Sequence, residues 1–139
     1  MSIDMSQFYQ VFFDEAEEHL GQIENLLVSI DLRHPDTDEL NAVFRAAHSI
    51  KGSAATFGFS DMAEITHVME SLLDDVRKAV RALDAEIVDA CLAAGDVLRA
   101  QLAAHRGQGE ADPAQAAAIV ARLAALDGAG GTARKSVVE

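Results

Sequence analysis

The sequence predicts an all-α fold, an up-down antiparallel four-helix bundle with an appended fifth C-terminal helix. Half of the residues are apolar, but only 5% are aromatic, tryptophan is absent and there are two prolines. This composition, rich in alanine and leucine, is typical of helical proteins. Apolar residues recur at spacings of three and four along the chain, and the alternation of a β-strand is missing. The 139 residues are enough for one domain with a buried core.

The first predicted helix covers about Gln7 to Ile30, with Asp4 or Ser6 as its N-cap. Its apolar stripe consists of Phe12, Ala16, Leu20, Ile23, Leu27 and Ile30. A capping box of Asp36 and Glu39 starts the second helix. The second stripe consists of Val43, Ala47, Ile50, Ala54 and Phe57, and Gly58 follows as the expected C′ residue.

Asp61, with Glu64 three residues later, is predicted to cap the third helix. The core positions of this helix are Met62, Ile65, Met69, Leu72, Leu73, Val76 and Val80. Asp84 is the predicted cap of the fourth helix, whose inward residues are Ile87, Cys91, Leu92, Val97, Leu98 and Leu102. Short connections between these helices favour antiparallel neighbours.

The fifth predicted helix starts at Asp112-Pro113, with proline at the first helical position. Its apolar face consists of Ile119, Val120, Leu123 and Leu126. The glycine-rich stretch after Asp127 indicates a flexible tail or a cut linker. We therefore predict one domain over residues 1–127 and a tail over residues 128–139.

The charge balance restricts the class of partner. With 23 acidic and 11 basic residues the formal net charge is −12, which does not suit a nucleic acid backbone. The single cysteine, Cys91, excludes an internal disulfide and fits a reducing compartment. The chain shows neither a signal peptide at Met1 nor a run of apolar residues that could insert into a membrane. We therefore expect a soluble, cytoplasmic protein.

The candidate site lies in the second helix. His48, Lys51 and Gly52 are three and four residues apart, so they share one face of that helix. His48 follows Ala47 of the apolar stripe, and one residue turns the helix by about 100°, which places the imidazole at the edge of the core. Gly52 has no side chain, so it leaves the His48 imidazole open to an approaching molecule, and Lys51 supplies a cation for a bound anion. This pattern indicates a histidine that takes up and passes on a phosphoryl group.

Two residues of the third helix belong to the same hypothesis. His67 and Glu70 are three residues apart and therefore adjacent on its surface. If the second and third helices pack together, the Glu70 carboxylate accepts a hydrogen bond from one ring nitrogen of His48 and orients the ring. His67 supports the cluster in this interpretation.

The string His48-Ser-Ile-Lys51-Gly52-Ser-Ala, followed by Phe57-Gly-Phe, resembles the signature of a histidine phosphotransfer (HPt) domain. The agreement is closest with the N-terminal P1 domain of CheA-type chemotaxis histidine kinases. His67 and Glu70 match the second half of that signature, and the resemblance covers about Gln7 to Arg106.

The resemblance implies a phosphocarrier in two-component signalling. His48 would be phosphorylated at Nε2, with Nδ1 held, using ATP and Mg²⁺ bound by a separate kinase domain. The phosphoryl group would then pass to an aspartate of a CheY-like response-regulator receiver domain, which holds its own Mg²⁺. The chain shows no ATP-binding glycine box, so the domain itself would bind no cofactor. The sequence leaves open whether it is a kinase fragment or a separate carrier, and whether phosphorylation occurs in cis or in trans.

A partner must cover His48, so we expect it to dock on the outer faces of the first two helices. The predicted docking residues are Tyr9, Phe13, Phe44, Ser49 and Ala55. Tyr9 and Phe13 lie beside the apolar stripe of the first helix, so a place in the core is the alternative for these two aromatic residues.

Two other classes of protein compete with this interpretation. A carboxylate-bridged metal bundle needs a Glu-x-x-His motif from each of two helices. Glu64 and His67 supply one such motif, but Glu15 and His19 are four residues apart, so we predict no metal site. A helical interaction module without chemistry at His48 is the other alternative, and a phosphorylation assay separates the two.

Overall fold

The computed structural model describes the backbone of residues 5–138 and the side chains of residues 7–127. Within these residues the chain forms five α-helices and no strand. They are α1 (Met5–Ser29), α2 (Thr37–Phe57), α3 (Ser60–Arg77), α4 (Ala85–His105) and α5 (Pro113–Val138). Contacts join α1 to α2, α2 to α3, α3 to α4 and α4 to α1, while α5 packs on α3 and α4. The predicted four-helix bundle with an added helix is confirmed.

Local sequence signals position α2 and α4. The Asp36 side chain accepts hydrogen bonds from the backbone N–H groups of Asp38 and Glu39, as an N-cap should. Asp84 caps α4 in the same way by accepting from the N–H of Ile87. Gly58 ends α2 with a φ of 84°, a left-handed conformation that glycine adopts without strain. These bounds fix the length of the helix that carries the candidate histidine.

The start of α3 differs from the prediction. The helix begins at Ser60 and its N-cap is Phe59, which provides no side-chain cap. Asp61 lies inside the first turn, where its carboxylate accepts from the N–H of Met62 and contacts Nε2 of His105 at 2.9 Å. The carboxylate is therefore engaged by α4, and the prediction of Asp61 as the cap is wrong.

The end of α3 also comes earlier than the apolar pattern indicated. The helix ends at Arg77, and Ala79 has a φ of 60°, which a continuing right-handed helix does not allow. Val80 is consequently 47% exposed and is not a core residue. The other predicted core positions of α3 are buried.

The core lies along the predicted stripes. All six stripe residues of the first helix are buried, from Phe12 at 2% exposed to Ile30 at 8%. Leu92, Val97 and Val120 pack against this core while remaining half-buried. Ser6 lies inside α1 and so is not its N-cap, whereas Asp4 falls outside the described residues.

The fifth helix starts at Pro113 as predicted, and Ile119, Leu123 and Leu126 are buried. Its backbone continues as helix to Val138, through the segment that the sequence indicated to be a tail. The side chains of residues 128–139 lie outside the described residues. The division into a domain over residues 1–127 and a tail therefore remains a prediction.

Candidate functional site

His48 lies at the middle of α2 on an exposed edge of the bundle. Its neighbour Ala47 is fully buried, while 63% of the His48 side chain is accessible to solvent. One helical residue separates the buried and the exposed position, as the rotation per residue requires. The imidazole therefore stands at the boundary between core and solvent, with its ring available to another molecule.

Glu70 of α3 holds the ring. Its Oε2 atom lies 2.6 Å from Nδ1 of His48, and its Oε1 atom lies 2.7 Å from Nζ of Lys51. Only 14% of the Glu70 side chain is exposed. The carboxylate thus joins two side chains of α2 that are three residues apart on one face. Both of its oxygens are used, so its position is fixed from α2 as well as from α3.

The environment of Glu70 keeps its carboxyl group ionised. Burial alone raises its pKa, but the hydrogen bonds from Lys51 and His48, together with their charges, outweigh burial and lower the pKa below the ordinary value of 4.5. An ionised carboxylate is only an acceptor, so the proton of a neutral His48 ring is assigned to Nδ1. The lone pair of the neutral ring is then on Nε2, which is the nitrogen that Glu70 does not contact.

The lowered pKa of Glu70 gives a testable pH dependence. A depressed pKa in the folded state contributes stability that is present above about pH 4.5 and is lost as the pH falls through the lowered pKa. We expect Lys51→Met to raise the pKa of Glu70, because it removes a hydrogen bond and a charge that favour the ionised form. Carboxyl carbon chemical shifts recorded against pH measure this pKa.

Lys78→Met is the matched control for that titration. Lys78, the C-cap residue of α3, pairs with Asp74 at 3.0 Å, so its removal eliminates an ion pair at the end of α3, away from Glu70. The pKa of Glu70 should not change in Lys78→Met. An unchanged value in Lys51→Met would contradict the assignment of Lys51 as its partner.

Gly52 borders an open depression between α1 and α2. The depression has a volume of about 390 Å³, and His48, Gly52, Ser53 and Thr56 are among the residues that line it. A Cβ atom on Gly52 would meet no described atom within 4 Å, so the fold does not require glycine here. The missing side chain leaves the surface of α2 open beside His48.

His67 is not part of the cluster. Its side chain is exposed and makes no hydrogen bond or ion pair with the side chains of residues 7–127. Glu70 is occupied by His48 and Lys51 instead. His67 and Glu70 are neighbours on α3, as their spacing of three residues predicted, but only the side chain of Glu70 contacts α2.

The predicted docking residues fall into two groups. Ser49 and Ala55 are exposed, and Phe44 is half-buried. Phe13, in contrast, is 8% exposed and packs on Phe12 and Phe59 in the core, so its ring is not available as a docking surface. Tyr9 is half-buried and packs against Phe59. The docking role predicted for Phe13 is wrong and its core alternative is correct, because α1 turns both aromatic positions towards the α2–α3 connection.

Two features of the site were not foreseen from the sequence. The Phe44 ring stacks on His48 with centroids 6.1 Å apart, and the Arg77 guanidinium lies 3.9 Å from the Phe44 centroid. Glu15 and His19 of α1 line the same depression as His48. The four-residue spacing of Phe44 and His48 could have indicated their stacking. The contribution of α1 depends on how the helices pack.

The structure shows neither a metal site nor a membrane span among the residues that it describes. Within these residues, His, Cys, Asp and Glu do not form a group of three or more that could hold a metal ion. The helices in this part of the chain are not both long and apolar enough to cross a membrane.

The fold and the site together define a class by their geometry: an all-α bundle in which a carboxylate of one helix orients an exposed imidazole of the preceding helix. The family profile described as "Hpt domain" matches residues 7–129. The chain belongs to the Hpt domain family.

Relatives named "Chemotaxis protein CheA" are similar to this chain. The protein from Klebsiella aerogenes is 49% identical over 112 residues, and that from Salmonella typhimurium is 47% identical over 114 residues. The alignments cover 81% and 82% of this chain, but 17% of each relative. The chain therefore spans a small part of the length of these proteins.

A solved structure shares the fold. It is the crystal structure of the phosphorylated P1 domain of CheA3 in complex with CheY6 from R. sphaeroides. The TM-score is 0.80 at 26% identity, and the match covers 88% of this chain and 97% of the other.

Proposed function

We propose that this chain is the phosphocarrier domain of a chemotaxis two-component system and that His48 carries the phosphoryl group. The observation that supports this most directly is the 2.6 Å contact between Nδ1 of the exposed His48 and Oε2 of Glu70. It leaves one nitrogen of a neutral imidazole unprotonated and directed away from the protein. The domain works in the cytoplasm, and a separate kinase domain binds ATP and Mg²⁺ for it.

Phosphorylation requires little from the carrier beyond orientation. The Nε2 lone pair of His48 forms a bond to the γ-phosphorus of ATP, and the bond between that phosphorus and the bridging oxygen of ADP breaks. The ring keeps its proton on Nδ1 and becomes positively charged. The Glu70 carboxylate compensates this charge at hydrogen-bond distance, as a carboxylate does for an imidazolium in a catalytic triad.

Transfer to the receiver domain reverses this arrangement. An aspartate oxygen of the receiver attacks the phosphorus, the N–P bond breaks and the electron pair returns to Nε2. Lys51 is held by Glu70 and lies one turn from His48, where its charge offsets part of the negative charge of the phosphoryl group. His48 therefore acts first as nucleophile and then as leaving group without gaining or losing a proton.

The depression beside Gly52 is the approach route in this proposal. A partner that covers it contacts Phe44, Ser49 and Ala55 on α2. In the similar solved structure, a phosphorylated P1 domain is in complex with a CheY6 protein. By analogy, we assign a CheY-like receiver domain as the acceptor for this chain.

The test is a two-step phosphorylation assay with purified components. The chain is incubated with a CheA kinase domain, Mg²⁺ and radiolabelled ATP, and a CheY-like receiver is added after ATP is removed. We expect an acid-labile, base-stable label on this chain that moves to the receiver. A label that is stable in acid, or the absence of any label, would refute the proposal.

Glu70→Gln is expected to slow phosphorylation of His48 by about 10- to 100-fold, the range found when a carboxylate that orients a metal-ligating histidine is removed. The amide keeps the shape of the side chain, but it cannot compensate the charge of the phosphorylated ring. Initial rates at saturating ATP measure the effect. Glu64→Gln, at an exposed position of the same helix, is the control and should have the wild-type rate.

Gly52→Ala is expected to stabilise the fold and to impair transfer. Alanine in a helix interior is more favourable than glycine by about 0.5–1 kcal/mol, and its Cβ meets no atom of the protein here. The same methyl group narrows the approach to Nε2, so transfer to the receiver should slow. Gly95→Ala, on α4 with equal space around it, should give a similar stability gain with unchanged transfer. Equal transfer rates in both variants would contradict the role of Gly52 in access.

A further inference from the structure

We propose that Phe44 and Arg77 are positioning residues that hold the plane of the His48 imidazole. Phe44 lies one turn before His48 on α2, and Arg77 is the last residue of α3. This role rests on the proposed function, in which Nε2 of His48 forms the bond to phosphorus. It adds a second contact to the one that Glu70 makes with the same ring.

The hydrogen bond with Glu70 fixes only one point of the imidazole. Oε2 of Glu70 lies 2.6 Å from Nδ1 of His48, and 63% of the His48 side chain is exposed. A hydrogen bond weakens steeply only when its angle falls below about 120°, so this contact tolerates a range of ring tilts. Because Glu70 does not contact Nε2, the direction of the Nε2 lone pair changes with this tilt.

The ring of Phe44 provides the second contact. The centroids of the Phe44 and His48 rings are 6.1 Å apart, and the ring planes differ by 15°. This separation is within the range of stacked aromatic pairs. The Phe44 side chain is half-buried and packs against the core, so its own ring is held in place. Phe44 therefore supplies a fixed plane against which the imidazole lies.

Arg77 holds Phe44 from the other helix. Its guanidinium carbon lies 3.9 Å from the centroid of the Phe44 ring, within the range of a cation–π contact. The Arg77 side chain is itself held, because its Nε atom donates to Oδ1 of Asp74 at 2.7 Å. It also lines a cleft of about 400 Å³ at the end of the bundle, together with Arg33 and Arg81. Helix α3 thus reaches the site a second time, through the ring of Phe44.

The tilt of the ring decides how often an encounter leads to reaction. A bond to phosphorus forms when the Nε2 lone pair of His48 is aligned with the phosphorus atom. If the stacking on Phe44 is lost, the imidazole samples more tilts and spends less time in the reactive one. The rate then falls with the population of the reactive tilt. The free energy of an aromatic contact corresponds to a change of about two- to tenfold in such a population.

Phe44 is also a docking residue in the proposed function, and the size of the phosphoryl donor separates the two roles. Phosphoramidate is a small donor without a protein surface. Nε2 of His48 forms a bond to its phosphorus, the P–N bond of the donor breaks and ammonia leaves. A residue that only binds partner proteins does not influence this reaction, whereas a residue that orients His48 does.

Phe44→Leu should slow phosphorylation of His48 by phosphoramidate by about two- to tenfold. Phe44→Tyr, which keeps the aromatic ring, should react at the wild-type rate. The reaction is followed by NMR at the ring signals of His48, so that phosphorylation of other histidines does not contribute. If Phe44→Leu reacts with phosphoramidate as the wild type does, Phe44 acts in docking alone and the proposal is wrong.

The averaging of the His48 side chain is measured directly by the three-bond couplings between its Cγ atom and its backbone N and C′ atoms. We expect the values of one rotamer in the wild type and averaged values in Phe44→Leu and Arg77→Gln. Lys78→Gln is the matched control, because it removes the other cation that pairs with Asp74 and leaves Arg77 in place. Couplings without averaging in Phe44→Leu would overturn the proposal, and in Arg77→Gln they would overturn the role of Arg77.

Loss of packing at a distant position is the control for general loosening of the bundle. Leu92→Ala shortens a half-buried side chain of α4 that packs against the core. It should lower the free energy of unfolding without changing the couplings of His48 or its rate with phosphoramidate. If Leu92→Ala slows the reaction as much as Phe44→Leu does, the effect comes from loosening of the bundle and the proposal is wrong.

Failure of the proposed function is distinguishable from failure of this inference. The proposed function fails if the wild-type chain takes up no phosphoryl group from ATP in the presence of the kinase domain. The couplings and the phosphoramidate reaction require neither ATP nor a kinase. They therefore still decide whether Phe44 and Arg77 position His48.

Discussion

Substituting glutamine for His48 is expected to abolish phosphoryl uptake completely. The amide of glutamine has no nucleophilic lone pair comparable to that of a neutral imidazole, so the N–P bond cannot form. The fold should be retained, because the side chain is 63% exposed and glutamine is a good helix former. Lys51 still compensates Glu70 in this variant, so no uncompensated charge is left behind.

The measurement is incorporation of radiolabel from ATP after incubation with the kinase domain. His67→Gln is the control, since His67 is an exposed histidine of α3 that lies one turn from Glu70 and makes no side-chain hydrogen bond within the described residues. We expect it to be labelled like the wild type. Label that persists in His48→Gln would move the phosphorylation site away from His48. Label that is lost in His67→Gln would contradict the placement of His67 outside the cluster.

Truncating Phe12 to alanine is expected to destabilise the domain by about 3–5 kcal/mol, the usual range for a buried aromatic residue. Phe12 is 2% exposed, and its ring stacks on Phe59 with centroids 5.1 Å apart. It also packs against Phe57 at 5.7 Å. These contacts join α1 to the connection between α2 and α3, the two helices that hold His48 and Glu70. Such a loss is a large fraction of the stability of a typical domain.

Urea unfolding followed by circular dichroism measures this change. Phe8→Ala is the matched control, because Phe8 lies one turn earlier on α1 and is 49% exposed. Its free energy of unfolding should change by no more than about 0.5 kcal/mol. Similar losses in the two variants would show that α1 packs with a different face than the structure describes.

Local signals in the sequence predicted most of the fold. The caps were predictable because each depends on residues within one helical turn. The Asp36 and Asp84 side chains bind backbone N–H groups two or three residues later, and Gly58 ends α2 in a left-handed conformation. The two errors in α3 have a different origin. Asp61 was expected to be a cap, but the carboxylate is engaged by His105, which is 44 residues away in the sequence. Val80 continued the apolar spacing beyond Arg77, where the helix ends.

The site was predictable to a similar extent. Helical spacing predicts that His48 and Gly52 share a face of α2, and in the structure both residues line the same depression. The contact between Glu70 and His48 could be predicted only on the condition that the face of α3 with Glu70 packs against the face of α2 with His48. Lys51 was expected to supply a cation for a bound anion. In the structure its Nζ atom donates a hydrogen bond to Oε1 of Glu70. The sequence left Phe13 open between the core and the docking surface, and the residue lies in the core.

Residue spacing was enough to predict the five helices, the caps of α2 and α4, most of the apolar stripes and the exposed position of His48. These features depend on residues three or four apart, whose relative positions the helix dictates. The packing of the helices was needed to show that Glu70 reaches both His48 and Lys51, and that Arg33, Arg77 and Arg81 line one cleft. Those contacts join separate helices and connections, so they depend on how the helices rotate and approach each other when the core packs.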